Sequence, residues 1–222
     1  MTNKGTIKLE TERLILRRFV LDDANAMFYN WASDPEVTKY LLWPPHDSVE
    51  VSRKVLTDWI REYDKPDYYQ WGIVIKNSGT LIGSIGVVGQ NQKAQMVHIG
   101  YCIGRDWWHK GYTSEALSQL VRFFFEDVGV NRIESRHDPR NPSSGKAMQK
   151  AGLLYEGTSC ESDWNNQGIC DAANYAILVK DYSRTEKMEV SIIPFETKYR
   201  DDMLFCQKVL SRGIQTRTIC DT

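Results

Sequence analysis

VHIGYCIGRDWWHKGYTSEALSQLVRFFFEDVG, residues 97–129, contains the change of period that decides the fold. Val97–Ile103 is a short apolar run and reads as a strand. Beyond it the apolar side chains fall at Leu117, Leu120, Val121, Phe124, Phe125 and Val128. That is the i, i+3, i+4, i+7, i+8, i+11 pattern of one helix face, so the spacing predicts a helix over about 114–127. Gly129 supplies its stop. The strand thus passes into the helix through a turn that carries Gly111.

Upstream of this junction, Trp71–Ile75 and Leu81–Val88 read as strands joined by the turn Asn77-Ser78-Gly79, and the polar stretch Gly89–Gln95 leads into Val97. The three strands make a meander, so the centre of the sheet is expected to be antiparallel. Earlier still, residues 7–19 suggest a strand. Asp22 and Asp23 open a helical pattern carrying Ala26, Met27, Tyr29, Asn30 and Trp31, which Ser33-Asp34-Pro35 ends. Pro44-Pro45 marks a loop, and Ser48 opens a second helix with Val51, Val55, Leu56, Trp59 and Ile60 on one face.

Downstream come a strand at Arg132–His137, a helix from about Ser143 to Ala151 closed by Gly152, and strands at Leu153–Gly157 and Ala172–Val179. A meander followed by βαβαβ predicts an α+β class, with a mixed, mostly antiparallel central sheet and helices on both faces.

Composition narrows the function classes. The 222 residues are 41% hydrophobic and 26% charged, enough to bury a core without staples. Lys+Arg 28 against Asp+Glu 29 gives a net charge of −1, which argues against a nucleic-acid partner. No stretch of 18 apolar residues crosses a membrane, and the N-terminus lacks the apolar core of a signal peptide. Cys102, Cys160, Cys170, Cys206 and Cys220 are odd in number with no CxxC pair, and His46, His98, His109 and His137 form no HExxH. The expectation is a cytoplasmic protein without disulfides or a structural metal.

Two segments carry chemistry. Lys110-Gly111-Tyr112-Thr113-Ser114 forms the first turn of the main helix, where free N–H groups and the positive helix end suit an anion such as phosphate. A plain capped strand-to-helix connection explains the same residues. Asn141–Gly152 is a loop Asn, a capping Ser, a short helix and a Gly stop, and by itself it is also an ordinary capped helix.

Taken together, and with LETERLILRRF before them, HIGYCI, WWHKGYTSEAL and NPSSGKAMQKAGLLYEG resemble the GCN5-related N-acetyltransferases over about residues 9–182. The similarity is greatest to the branch of ribosomal-protein N-terminal and spermidine acetyltransferases. The resemblance implies transfer of the acetyl group of acetyl-CoA to a primary amine, either a protein N-terminus or a small molecule, by direct attack in a ternary complex. It implies that pyrophosphate sits on Trp108, His109, Lys110, Gly111, Tyr112 and Thr113. Pantetheine would pair with the strand edge at Tyr101, Cys102 and Ile103. Asn141, Met148 and Lys150 would lie along the cofactor, and Ser144 would stand beside the thiol. No metal is implied.

The chain departs from that family's pattern. Trp108 and Thr113 replace a Gln or Arg and a small residue of the usual loop, Met148 stands where spermidine enzymes carry an acidic Tyr, and His98 stands where many relatives have Glu. An imidazole has a pKa suited to a base at neutral pH, so His98 and, less directly, His137 are candidate bases. Trp31, Tyr40, Trp43 and Trp164 are candidate linings for the acceptor, with aromatic core as the competing reading.

Residues 183–222 read as an extension: polar Ser183–Lys187, then a strand and helix start over Met188–Leu210. A truncated second domain, or an arm pairing with a second copy of the chain, fits this length. Two rival functions remain at this point: a sensor that binds acetyl-CoA without turnover, and an interaction protein acting through the extension.

Overall fold

Eight strands form one sheet, in the order β1-β2-β3-β4-β5-β6-β8-β7, in the computed structural model, which describes residues 1–186. The strands are β1 (Leu9–Glu10), β2 (Leu14–Arg17), β3 (Gln70–Ile75), β4 (Leu81–Asn91), β5 (Met96–Ile103), β6 (Arg132–His137), β7 (Leu154–Asn165) and β8 (Gly168–Leu178). The helices are α1 (Ala24–Met27), α2 (Pro35–Thr38), α3 (Val49–Glu62), α4 (Tyr112–Phe123), α5 (Pro142–Lys150) and α6 (Val179–Glu186). Every neighbouring pair is antiparallel except β5 and β6. The sheet is therefore mixed and mostly antiparallel, as the period change predicts.

The one parallel pair is also the shortest join in the middle of the sheet. β5 meets β6 only at Met96↔Arg132, Val97↔Ile133 and His98↔Glu134. On its other side β5 stays paired with β4 along its whole length, from Met96 to Ile103. Among the described residues, the second half of β5 thus has a partner strand on one edge and none on the other.

Two apolar clusters cover the sheet. One packs Leu117, Leu120, Val121 and Phe124 of the α4 segment, with Met148 of α5, against Trp71, Ile73, Val97, Ile99 and Ile133. The other packs Met27, Trp31 and Leu56 against Phe19, Val74 and Leu81. α4 ends in a π-helical turn, Phe124–Val128, and Gly129 closes it with φ of 75°. That positive φ is the left-handed geometry a glycine stop supplies.

Several elements differ from their sequence signals. Residues 7–19 form two strands with a turn between them rather than one strand. The first helical segment ends at Ala32, as Ser33-Asp34-Pro35 signals, and a new short helix follows at once, because the Asp34 carboxylate caps α2 by accepting from the Glu36 N–H at 2.9 Å. The strands expected at 153–157 and 172–179 are the long hairpin β7–β8, and Val179 instead begins α6. The segment expected to be linker from Ser183 is helical backbone as far as Glu186. Met188–Leu210, Cys206 and Cys220 lie outside the described residues.

Trp31 is the largest correction. It lies in a π-helical turn, Phe28–Ala32, with the Ser33 N–H bonded to the Phe28 carbonyl at 3.1 Å. Its indole is fully buried in the second cluster and lines no groove. Trp31→Ala should therefore cost about 3–5 kcal/mol, the range for removing a buried aromatic. A shift in the midpoint of a denaturant melt checks it, and an unchanged midpoint would contradict this placement.

Candidate active site at the parting of two strands

Where β5 and β6 separate, a groove of about 1250 Å³ opens. It runs from the α2–α3 connection, through the gap between the strands, to the start of α4. The gap has a fixed width at its apex, because the Ser135 hydroxyl of β6 donates to the Ile99 carbonyl of β5 at 2.8 Å. Side chains alternate across β5, so His98 and Cys102 point to one face of the sheet and Tyr101 and Ile103 to the other.

His98 is the last β5 residue paired with β6. Its Nδ1 lies 3.7 Å from Glu134 Oε1. Burial, and then the Arg136 guanidinium, hold the imidazole below its ordinary pKa, against the opposing pull of the Glu134 and Asp163 carboxylates. At neutral pH it is thus uncharged and able to accept a proton. His137 differs. Its Nδ1–H donates to the Asp138 carbonyl at 2.7 Å, which leaves Nε2 as the bare nitrogen. That atom is buried without a partner, pressed against Gly145, where any Cβ would stand 2.6 Å from it.

On the opposite face, Tyr101 reaches α5. Its phenol oxygen is 2.9 Å from Ser144 Oγ and 3.0 Å from the Ser144 carbonyl. Burial pushes the Tyr101 phenol well above its ordinary range, so it stays protonated and can donate. Sequence reasoning values Tyr101 only for its strand backbone. The contact spans 43 residues, and no local pattern announces it.

The loop before α4 turns through two left-handed residues, His109 at φ 59° and Gly111 at φ 80°. Left-handed residues in such a run are how loops gather amide N–H groups into an anion-binding concavity. Gly111 starts the helix without any side-chain cap, so the first N–H groups of α4 are left for a ligand. Trp108 cannot serve that ligand through its indole, because Nε1–H donates to the Ile103 carbonyl at 2.8 Å. That bond caps the end of β5 instead.

A brace from the N-terminal hairpin holds this loop. The Arg13 guanidinium donates to Glu115 at 2.6 Å and to the Lys110 carbonyl at 3.0 Å, and lies 4.6 Å from the centre of the Tyr112 ring. Burial pushes the Glu115 carboxyl upward, but hydrogen bonds from Thr11 and Arg13 prevail and keep it below its ordinary pKa. Asp138 plays the matching part for the loop before α5. It accepts from the backbone and side chain of Arg140 and from Asn165, and the Arg140 guanidinium holds its carboxyl well below the usual range.

Most of the expected site residues line this one groove: His98, Tyr101, Cys102, Ile103, Trp108, His109, Gly111, Tyr112, Thr113, Asn141, Ser144, Lys150, Tyr40, Trp43 and Trp164. Lys110 is exposed and contributes its carbonyl to the Arg13 brace rather than lining the groove. The half-buried Cys102 thiol lies 3.4 Å from Ser84 Oγ, and desolvation raises its pKa. Met148 is not in the groove. It is 1% exposed in the core beneath α5, and Lys146, Ala147, Gln149 and Lys150 present the groove-facing side of that helix. No group of three or more His, Cys, Asp or Glu able to hold a metal occurs among the described residues. No described helix is long and apolar enough to cross a membrane.

Comparison with known proteins agrees with this geometry. Residues 13–154 match the family model described as an acetyltransferase (GNAT) domain. The chain is 31% identical over 176 residues to the uncharacterized N-acetyltransferase p20 of Bacillus licheniformis, covering 79% of this chain and 98% of that protein. It is 33% identical over 164 residues to the [ribosomal protein uS5]-alanine N-acetyltransferase of Escherichia coli, covering 70% of this chain and 82% of that enzyme. In fold it is similar to the ribosomal L7/L12 alpha-N-protein acetyltransferase RimL in complex with coenzyme A, with a TM-score of 0.70, 18% identity and coverage of 79% and 99%.

A β-branched residue at Gly111 would have to hold a left-handed φ and would meet Arg13 Nη2 at 3.4 Å. Gly111→Val should weaken coenzyme A binding about tenfold or more, since such backbone strain costs about 1–3 kcal/mol. Calorimetric titration measures it, and unchanged affinity would remove this loop from the binding site.

Proposed function

The chain belongs to the GNAT acetyltransferase family as an acetyl-CoA-dependent N-acetyltransferase, and on that premise we propose that it transfers acetyl to a primary amine by direct attack in a ternary complex, with His98 as base. The observation that carries this reading is the pair of groups flanking the strand gap. His98 stands on one face of the sheet and the Tyr101–Ser144 hydroxyl pair on the other.

The residues present fit acetyl-CoA. The uncapped start of α4 and its left-handed loop suit a pyrophosphate. The second half of β5 offers a strand edge that β6 does not use, which suits an extended amide-bearing arm. Lys146 and Lys150 line the groove, and neither makes an ion pair among the described residues. Acetyl-CoA would supply an activated thioester, and the chain's own groups do the rest.

His98 accepts the proton that the amine must lose, directly or through one water, and its lowered pKa keeps it free to do so at neutral pH. Ser144 Oγ stands on the thiol side to donate its hydroxyl proton toward the departing sulfur, and the Tyr101 phenol, 2.9 Å from Ser144 Oγ and donating to the Ser144 carbonyl, holds it in place and supplies a second hydroxyl to the same network. This assigns to Ser144 the task that Met148 cannot perform. Holding the two reactants in one groove supplies a large part of the rate by itself.

His98→Ala should lower kcat by about 10²–10⁴-fold, the usual contribution of a general base. In the wild type the rate should rise as pH climbs through a value below the ordinary imidazole pKa, because only neutral His98 accepts a proton. Replacing Arg136 with Gln removes a positive neighbour that lowers that pKa, so the limb should move to higher pH. A pH–rate profile that moves in neither variant would overturn the base assignment. Tyr101→Phe should lower kcat about tenfold while the KM for acetyl-CoA holds, as loss of one hydrogen bond to a charged centre would do.

A further inference from the structure

Each carboxylate that lines the groove is already matched by a cation of the protein itself. Glu36 at the mouth faces Lys39 Nζ at 4.0 Å, Asp163 takes Arg136 Nε at 2.8 Å, and Asp138 takes Arg140 Nη2 at 2.6 Å. Lys146 and Lys150 add positive charge without a paired acid among the described residues. Among the described residues, the groove therefore offers no uncommitted negative charge.

The acceptor end is aromatic and strapped. Tyr40, Trp43 and Trp164 line it. Asn166, at the tip of the β7–β8 hairpin, donates from its side chain to the Thr38 and Trp43 carbonyls at 2.8 and 2.7 Å, and from its backbone to the Leu41 carbonyl at 3.2 Å. The Tyr40 hydroxyl donates to the Arg140 carbonyl at 3.2 Å. These bonds use the main-chain acceptors that a peptide laid along this wall would need.

We propose that the acceptor is a small primary monoamine with an apolar or aromatic body, rather than a polyamine or a peptide N-terminus. The proposal rests on the transferase reading and names its substrate class. A single ammonium loses its charge on the way to attack, so it needs no permanent counter-ion. A second ammonium would leave water for a groove in which each lining carboxylate is taken, and an unpaired buried charge is costly. An apolar body instead gains by covering Tyr40, Trp43 and Trp164, at roughly 25 cal/mol per Å² of apolar surface removed from water.

The test measures kcat/KM for 2-phenylethylamine, spermidine and a short peptide with a free N-terminal alanine, using the full chain and acetyl-CoA. 2-Phenylethylamine should exceed both others by at least about tenfold, a 1.4 kcal/mol preference. Trp164→Ala should raise the KM for 2-phenylethylamine with little change in kcat. Arg136→Gln, which releases Asp163, should raise the ratio of spermidine to 2-phenylethylamine turnover, a ratio in which any change at His98 cancels. Equal or better use of spermidine or the peptide by the wild type would overturn the proposal and leave the transferase reading standing. An unchanged ratio in Arg136→Gln would overturn its electrostatic basis. Release of no coenzyme A with any of the three amines, by a chain that still binds it, would overturn both.

Discussion

Parallel pairing between β5 and β6 stops at His98, and the cleft exists because, among the described residues, no strand pairs with that edge of β5 beyond that point. A strand edge left open in the middle of a sheet is costly unless something else uses its N–H and C=O groups. Here the protein closes only the two ends of the opening. Ser135 ties the apex to the Ile99 carbonyl, and the Trp108 indole takes the Ile103 carbonyl at the far end. Between those bonds the edge is left for a ligand, and α4 begins just beyond it with its own N–H groups uncapped. Two unsatisfied sets of backbone groups, a strand edge and a helix start, therefore face one groove.

The same parting sorts the polar side chains. Alternation along β5 sends His98 to one face and Tyr101 to the other, three residues apart. Burial acts on both but in opposite senses. It lowers the imidazole, which must be neutral to accept, and raises the phenol, which must keep its proton to donate. Burial is the largest cause of each shift, and at His98 the Arg136 guanidinium adds to it. The common part follows from placing both groups against a packed sheet and not in water.

The α4 segment and the meander were legible because their periods are regular and their stops are glycines. Trp31 shares the buried face of Ala24 and Met27 at i, i+3 and i+7 spacing, which is the core reading, and an aromatic residue type alone does not separate core from groove lining. For Met148, matching a family position fixes place along α5 but not which way that helix turns its methionine, and here the core takes it. The length of β7 and β8 was hidden by irregular register shifts between Tyr155 and Gly157 and between Ser159 and Asp163, which break the alternation that marks a strand. The groove itself was legible mostly through local motifs, whereas the Tyr101–Ser144 contact and the Arg13 brace join residues 43 and about a hundred positions apart.

That brace has a consequence for how the protein is made. Thr11 and Arg13 leave the ribosome about a hundred residues before Glu115, so the N-terminal hairpin must wait for its counterpart. Contacts between such distant parts of a chain form late, after the entropy of closing the intervening loop has been overcome. The phosphate-loop conformation is therefore a product of the finished fold and not of its own few residues. A nascent or partly unfolded chain would carry the whole WWHKGYT segment and still lack a seat for the nucleotide, so cofactor capture reports that the first and middle thirds of the protein have already joined.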